Sequence, residues 1–335
     1  MRLLLASFLL LLVSPTLRAE TPVFQDPWPA DPDIRGEAVT FDSSSPFALT
    51  DVDEESPTTA QARLYLPPDA SAEQPVPAVI LLHGAGGVLS TRELTYGPQF
   101  AEQGVAALII NSFAPRRDFA SGFFQRLFNV TEIMIVADAY AGLAYLDSLP
   151  QVDGSRVALI GFSYGGMAST LAAYTQVAEA FAPEGRRFVG HIAYYAPCII
   201  RADETETTGA PVLLLNGGQD ALLDPERCDE VVADLEGGGS EVELVVYPDA
   251  MHQWDGRARS PWRPRYTLAP CAYRLQASGR GIDESTGLGI SSPFLRRASL
   301  ALCASDSGYL IGRDDAVRLE SNREVAEFLT GVFSR

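Results

Sequence analysis

The residues best able to do covalent chemistry here are a serine between glycines, three histidines and a scatter of aspartates. Gly161-Phe162-Ser163-Tyr164-Gly165 has the G-x-S-x-G pattern, which alone is a weak signal. Its setting strengthens it. The apolar run Arg156–Ile160 leads in and an Ala-rich stretch leads out, the strand–turn–helix context of a nucleophile elbow. The glycines permit the tight turn that holds Ser163 in a strained, exposed position, and the N-terminus of the following helix favours negative charge.

A serine hydroxyl attacks only when a base takes its proton. Of the three histidines, His83 ends an earlier apolar run ahead of Gly84-Ala85-Gly86-Gly87, where backbone geometry is the expected theme. His191 sits inside the apolar run Val189–Tyr194 and is expected in the core. His252 follows Val242–Val246 and a turn, which puts it at the C-terminal strand edge beside Ser163, where open α/β sheets carry their sites. His252 is therefore the expected base. Asp220 ends Asn216-Gly217-Gly218-Gln219-Asp220, just past another strand, and is the expected orienting carboxylate. Its rivals are Asp224, next to the helix-starting Pro225, and Asp249, close to His252 in sequence. The chain order Ser…Asp…His is that of α/β hydrolases. The backbone N–H groups of Tyr164 and Ala85, with Gly86 as the alternative to Ala85, are the expected oxyanion donors.

These groups need a scaffold, and the sequence outlines one. Val79–Leu82, Val105–Ile110, Arg156–Ile160, Val189–Tyr194, Val212–Leu215 and Val242–Val246 are short, nearly continuous apolar runs ending in turn residues. Continuous runs mean burial on both faces, as in a parallel sheet covered by helices. Ala38–Phe41 and Ala62–Leu66 add strand-like runs before them. Helical stretches fall at Thr91–Gln103, Val130–Leu149, Pro225–Glu236 and Asp314–Phe333. The expected architecture is α/β: an α/β-hydrolase fold, a mostly parallel doubly wound sheet with helices on both faces. It forms a single domain over residues 20–335, with 255–312 an irregular rim or lid segment before the terminal helix.

Residues 1–19 read as a signal peptide: Arg2, an apolar run Leu3–Val13 too short to span a bilayer, and a cut after Ala19. The protein is thus expected to be exported, either periplasmic or secreted. Losing Arg2 and Arg18 takes the formal charge of −18 to −20. Export makes Cys198, Cys228, Cys271 and Cys303 candidates for disulfides. Of three possible pairings, the sequential one, Cys198–Cys228 and Cys271–Cys303, is the expectation. All 25 basic residues are arginine, which removes a Schiff-base lysine and the lysine of a phosphate loop. The acidic balance argues against nucleic acid and anionic membranes as partners. No cofactor and no metal is expected.

Gly161–Gly166, the His83–Gly87 loop, Asp220 within Gly-Gly-Gln-Asp and His252 resemble the dienelactone hydrolase family of the α/β-hydrolase superfamily, over about Gln61–Trp254. Tyr194-Tyr195-Ala196-Pro197-Cys198 followed by Cys228 is similar to its secreted members. The name-giving enzymes carry cysteine where this chain has Ser163. The resemblance therefore implies a broader carboxylic-ester hydrolase, acting on small esters or lactones through an acyl-enzyme. A secreted serine peptidase and a non-catalytic binding protein on a hydrolase scaffold are the alternatives. Arg116, with Arg117 beside it, is a candidate to hold a substrate carboxylate. Phe123, Phe124 and Phe128 are expected to pack in the core rather than line an acyl pocket. Of Tyr96, Tyr164, Tyr195 and Trp254, only Tyr164 is expected to touch substrate.

Overall fold

The apolar runs become the strands of one eight-stranded sheet. The computed structural model describes residues 21–54 and 56–335; the signal-peptide expectation over residues 1–19 lies outside them. In chain order come β1 (Glu37–Ser44), β2 (Pro57–Tyr65), β3 (Val76–Leu82), α1 (Glu93–Glu102), β4 (Ala106–Ile110), α2 (Phe123–Asn129) and α3 (Glu132–Asp147). β5 (Val152–Phe162), α4 (Tyr164–Leu171), α5 (Thr175–Phe181), β6 (Gly190–Tyr194) and β7 (Ile200–Ala202) follow. The rest is β8 (Val212–Gly217), α6 (Pro225–Gly237), β9 (Val242–Tyr247), β10 (Tyr273–Leu275), β11 (Gly281–Asp283), α7 (Pro293–Cys303) and α8 (Asp315–Phe333).

The sheet runs β1-β2-β4-β3-β5-β6-β8-β9. β1 pairs antiparallel with β2, and β2 with β4; every other neighbour is parallel. Successive side chains of a strand point to opposite faces, and here both faces are covered. Ile80, Leu108 and Leu159 join Leu143 of α3 in one apolar cluster. Val79, Leu81 and Ile160 join Phe100 of α1 and Leu329 of α8 in the other. Each such aliphatic side chain, fully buried, contributes about 1.5–3 kcal/mol.

Helix starts follow local chemistry. The Thr131 hydroxyl accepts from Met134 N–H at 3.3 Å, and Asp224 from Glu226 N–H at 3.1 Å. Asp314 accepts from the N–H groups of Ala316 and Val317. Such caps satisfy donors that have no partner within the helix. The segment 255–312 is more structured than its composition suggests. It carries β10, β11 and α7, and with β7 builds a three-stranded sheet in the order β11-β10-β7. Strands of three residues are too short to show a period in sequence. The cysteines pair Cys198–Cys228 and Cys271–Cys303, and the second bond ties the end of α7 to the start of β10.

Candidate active site

Ser163 sits between the last residue of β5 and the first of α4. Its backbone has φ 53°, a conformation that costs a non-glycine residue energy and persists only where the surroundings enforce it. Packing explains the flanking glycines. A Cβ on Gly161 would lie 2.0 Å from the Gly165 carbonyl oxygen, and one on Gly165 would lie 2.4 Å from that of Leu82. The turn therefore closes only with hydrogen at both positions. Ser163 N–H donates to Tyr194 O at 2.8 Å, which ties the turn to β6.

The parallel strands deliver the other two groups to the same edge. His252 Nε2 lies 3.0 Å from Ser163 Oγ, and its Nδ1 lies 2.6 Å from Asp220 Oδ2. An ionised carboxylate only accepts hydrogen bonds, so Nδ1 carries the proton and Nε2 is free to accept from the serine hydroxyl. Both side chains are almost fully shielded from water. Asp220 Oδ1 also accepts from Leu222 N–H at 3.0 Å. The two loops are tied together: Gln219 N–H donates to Ala250 O at 2.9 Å. His252 N–H in turn donates to Leu310 O at 3.0 Å, and Gly312 N–H to His252 O at 3.1 Å. The end of the 255–312 segment thus holds the histidine loop in place.

The rival residues lie elsewhere. Asp224 caps α6, and Asp249 is exposed on its turn. His83 is buried, with its Nδ1–H donating to Gly84 O at 2.8 Å and its ring 4.5 Å from that of Phe113. Burial lowers its pKa to about 4, and burial does the same for His191. Neither reaches Ser163. The loop after β3 does come close: a Cβ on Gly84 would sit 3.4 Å from Ser163 Cβ. Ala85 and Gly86 border the same cavity as Ser163 and Tyr164.

Two expectations need correction. Arg116 is not at the site. It is 1% exposed, pairs with Asp138 at 2.7 Å and also donates to the Ser44 and Ser112 carbonyls. Its guanidinium is committed to joining β1 to α3. Phe123 and Phe124 are not core residues: they are 48% and 54% exposed and line the cavity over Ser163, whereas Phe128 packs against the core. Tyr195 does not border the cavity but backs the histidine. Its ring packs edge-on 4.8 Å from His252, and Tyr309 does so from another side at 5.2 Å.

Behind Tyr195 lies a buried polar chain that sequence reading missed. Tyr195 OH donates to Asp255 Oδ1 at 2.6 Å and accepts from Arg92 Nη1 at 3.2 Å. Arg92 pairs with Glu93 and stacks over the Phe162 ring at 4.7 Å. Burial holds the Asp255 carboxyl above its usual range, against the opposing charge of Arg92. The only sequence signal was an Arg-Glu pair entering a helix that is otherwise largely apolar.

The cavity above Ser163 measures about 730 Å³. Tyr164 borders it, and its hydroxyl donates to Val130 O and accepts from Arg296 Nη2 at 3.1 Å. Arg296, from α7, pairs with Glu132 at 2.8 Å.

The dienelactone hydrolase family model matches residues 61–273. A Methylorubrum extorquens protein named "Putative carboxymethylenebutenolidase" is 28% identical over 142 residues, 42% of this chain and 47% of that one. The chain therefore spans about half the length of that relative. A Bradyrhizobium protein named "Probable 2-oxo-3-(5-oxofuran-2-ylidene)propanoate lactonase" is 23% identical over 197 residues, 56% of this chain and 77% of that one. Among solved structures, esterase 2 of Thermogutta terrifontis phosphoramylated by tabun aligns at TM-score 0.50 and 16% identity, over 67% of this chain and 87% of that one. That likeness shows the α/β-hydrolase fold.

Proposed function

Because the chain belongs to the dienelactone hydrolase family, we propose that it is an exported serine hydrolase of carboxylic esters or lactones of small molecules. The reading is carried by the unbroken contact from Asp220 Oδ2 through His252 to Ser163 Oγ, at 2.6 and 3.0 Å. Ser163 Oγ attacks the ester carbonyl carbon while His252 Nε2 takes its proton. The backbone N–H groups of Ala85 and Tyr164 receive the oxyanion. The tetrahedral adduct collapses, the C–O bond to the alcohol breaks, and the alcohol leaves with the proton from His252. Water then attacks the acyl-serine by the same route, releasing the acid and restoring the Ser163 hydroxyl. Asp220 keeps the imidazole in the accepting tautomer and stabilises the imidazolium.

Residues 1–19 serve as the signal peptide and the remainder forms one hydrolase domain. The two disulfides are compatible with an oxidising compartment. The test is fluorophosphonate labelling of the purified protein with the adduct mapped by mass spectrometry. A stoichiometric adduct on Ser163, abolished in Ser163→Ala, is expected. Folded protein that takes up no label would instead favour a non-catalytic binding protein. Turnover of a nitrophenyl ester without turnover of the matching nitroanilide separates esterase from peptidase.

A further inference from the structure

The cavity of about 730 Å³ over Ser163 falls in the ~300–1,000 Å³ range of sites that enclose a drug-sized ligand. Its walls come largely from parts of the chain that do not hold the Ser163–His252–Asp220 contact. α2 supplies Phe124 and Leu127, the loop before β10 supplies Trp262, Tyr266 and Leu268, and α7 supplies Leu300.

Two further observations define what this wall accepts. First, the buried charged pair inside it is already committed. Glu132 and Arg296 bond each other, and Arg296 also holds Leu127 O and Tyr164 OH. Among the described residues, none of the buried side-chain polar atoms without a partner belongs to a lining residue. Away from Ser163 and the Ala85 and Tyr164 N–H groups, a polar ligand group pushed against Leu268, Leu300 and Trp262 would leave its water for an apolar wall, a net loss. Second, the rim exposes large rings. Phe123, Phe124, Trp262 and Tyr266 are between 43% and 54% exposed, although each also borders the cavity. Apolar surface clustered at a pocket mouth marks a ligand-contact region. The remaining rim groups that carry charge, Arg257 and Arg265, are exposed to solvent.

We infer that the esters this protein turns over carry a bulky apolar group, an alkyl chain of about eight carbons or an aromatic ring system of similar size, seated against Leu268, Leu300 and Trp262. This rests on Ser163 being the nucleophile of an ester hydrolase. It deepens that reading, because the triad alone accepts an acetyl ester as readily as a long one.

The experiment is a kcat/KM series on the purified protein with nitrophenyl esters from acetyl to octanoyl, and a second series varying the alcohol of acetate esters. Burying one methylene is worth ~0.8 kcal/mol, which at 1.36 kcal/mol per decade is about fourfold. One of the two series should therefore climb by up to about fourfold per carbon, on the order of 10³-fold in all. Leu300→Trp, which fills the cavity, should cut the longest-to-shortest ratio of the climbing series at least about tenfold. Trp262 is half exposed, so Trp262→Ala keeps the question open should the first variant not fold; it should lower the same ratio about threefold or more. Calorimetry on Ser163→Ala should show the eight-carbon product of the climbing series, octanoate or octanol, binding and its two-carbon counterpart not. Both series flat within about twofold, or that eight-carbon product binding no tighter than its two-carbon counterpart, overturn the inference while leaving the hydrolase standing. Absence of turnover of every ester, together with absence of a phosphonate adduct, removes both.

Discussion

Replacing Asp220 by asparagine isolates the carboxylate charge while keeping its shape. In the native protein Asp220 Oδ2 takes the Nδ1–H of His252 at 2.6 Å with both side chains shielded from water. The charge centres of carboxylate and imidazolium are roughly 4 Å apart. At an effective dielectric constant of 20 that attraction is about 4 kcal/mol, equivalent to about three decades in rate. Asparagine adds a second fault: its amide N–H₂ can face Nδ1, which shifts the imidazole proton to Nε2, where it blocks acceptance from Ser163. Together these give a fall in kcat of about 10⁴. Folding should survive, because the asparagine oxygen still accepts the Leu222 N–H now bound to Asp220 Oδ1. The assay is kcat on a saturating soluble ester, with thermal melting as the folding control. Asp224→Asn and Asp249→Asn are the comparisons. The first weakens the cap on α6 by about 1 kcal/mol at most, the second alters an exposed turn, and neither should slow turnover appreciably. A rate for Asp220→Asn within tenfold of the native enzyme, or a thousandfold loss in either comparison variant, would refute the assignment.

Arg116→Ala should act on stability. It leaves Asp138 buried without its partner, at a cost of about 3–5 kcal/mol in urea unfolding, with KM unchanged; a tenfold rise in KM at native stability would put Arg116 back at the substrate. His83 and His191 predict acid lability. Burial lowers both to about 4 from an ordinary 6.5. As pH falls below 6.5 the unfolded chain takes up these protons while the folded chain does not. The stability they contribute is therefore complete above pH 6.5 and is lost progressively down to pH 4, by roughly 3 kcal/mol each. Urea midpoints between pH 7.5 and 4.5 read this directly. His83→Gln should flatten the slope, and a midpoint independent of pH would contradict the burial argument.

Local rules settled much of this molecule from sequence. Ile80, Leu108 and Leu159 stand in continuous apolar runs because a parallel strand is buried on both faces, and that demand is written within five or six residues. Thr131, Asp224 and Asp314 open helices because a cap needs only a side chain and an N–H two or three positions away. Gly161 and Gly165 flag the Ser163 turn for the same reason. The meeting of Ser163, Asp220 and His252 could be anticipated because each lies just past the end of a parallel strand, and parallel strands deliver their ends to one edge.

Other features needed the tertiary structure. Arg116 points inward because Asp138, 22 residues on, and Ser44, 72 residues back, converge on it. The local pattern of two adjacent arginines predicts a solvated pair. Phe123 and Phe124 face a cavity whose walls include Trp262 and Leu300, more than a hundred residues later. Tyr195, Asp255 and Arg92 form one buried chain across 163 positions of sequence. In each case the partner is chosen by how distant segments dock, and nothing within a few residues of the side chain records that choice. Strand order in the sequence already points to the sheet edge where Ser163, Asp220 and His252 gather. Only the docking of α2, α7 and the 256–268 loop over that edge decided the size and apolar character of the space where a substrate must fit.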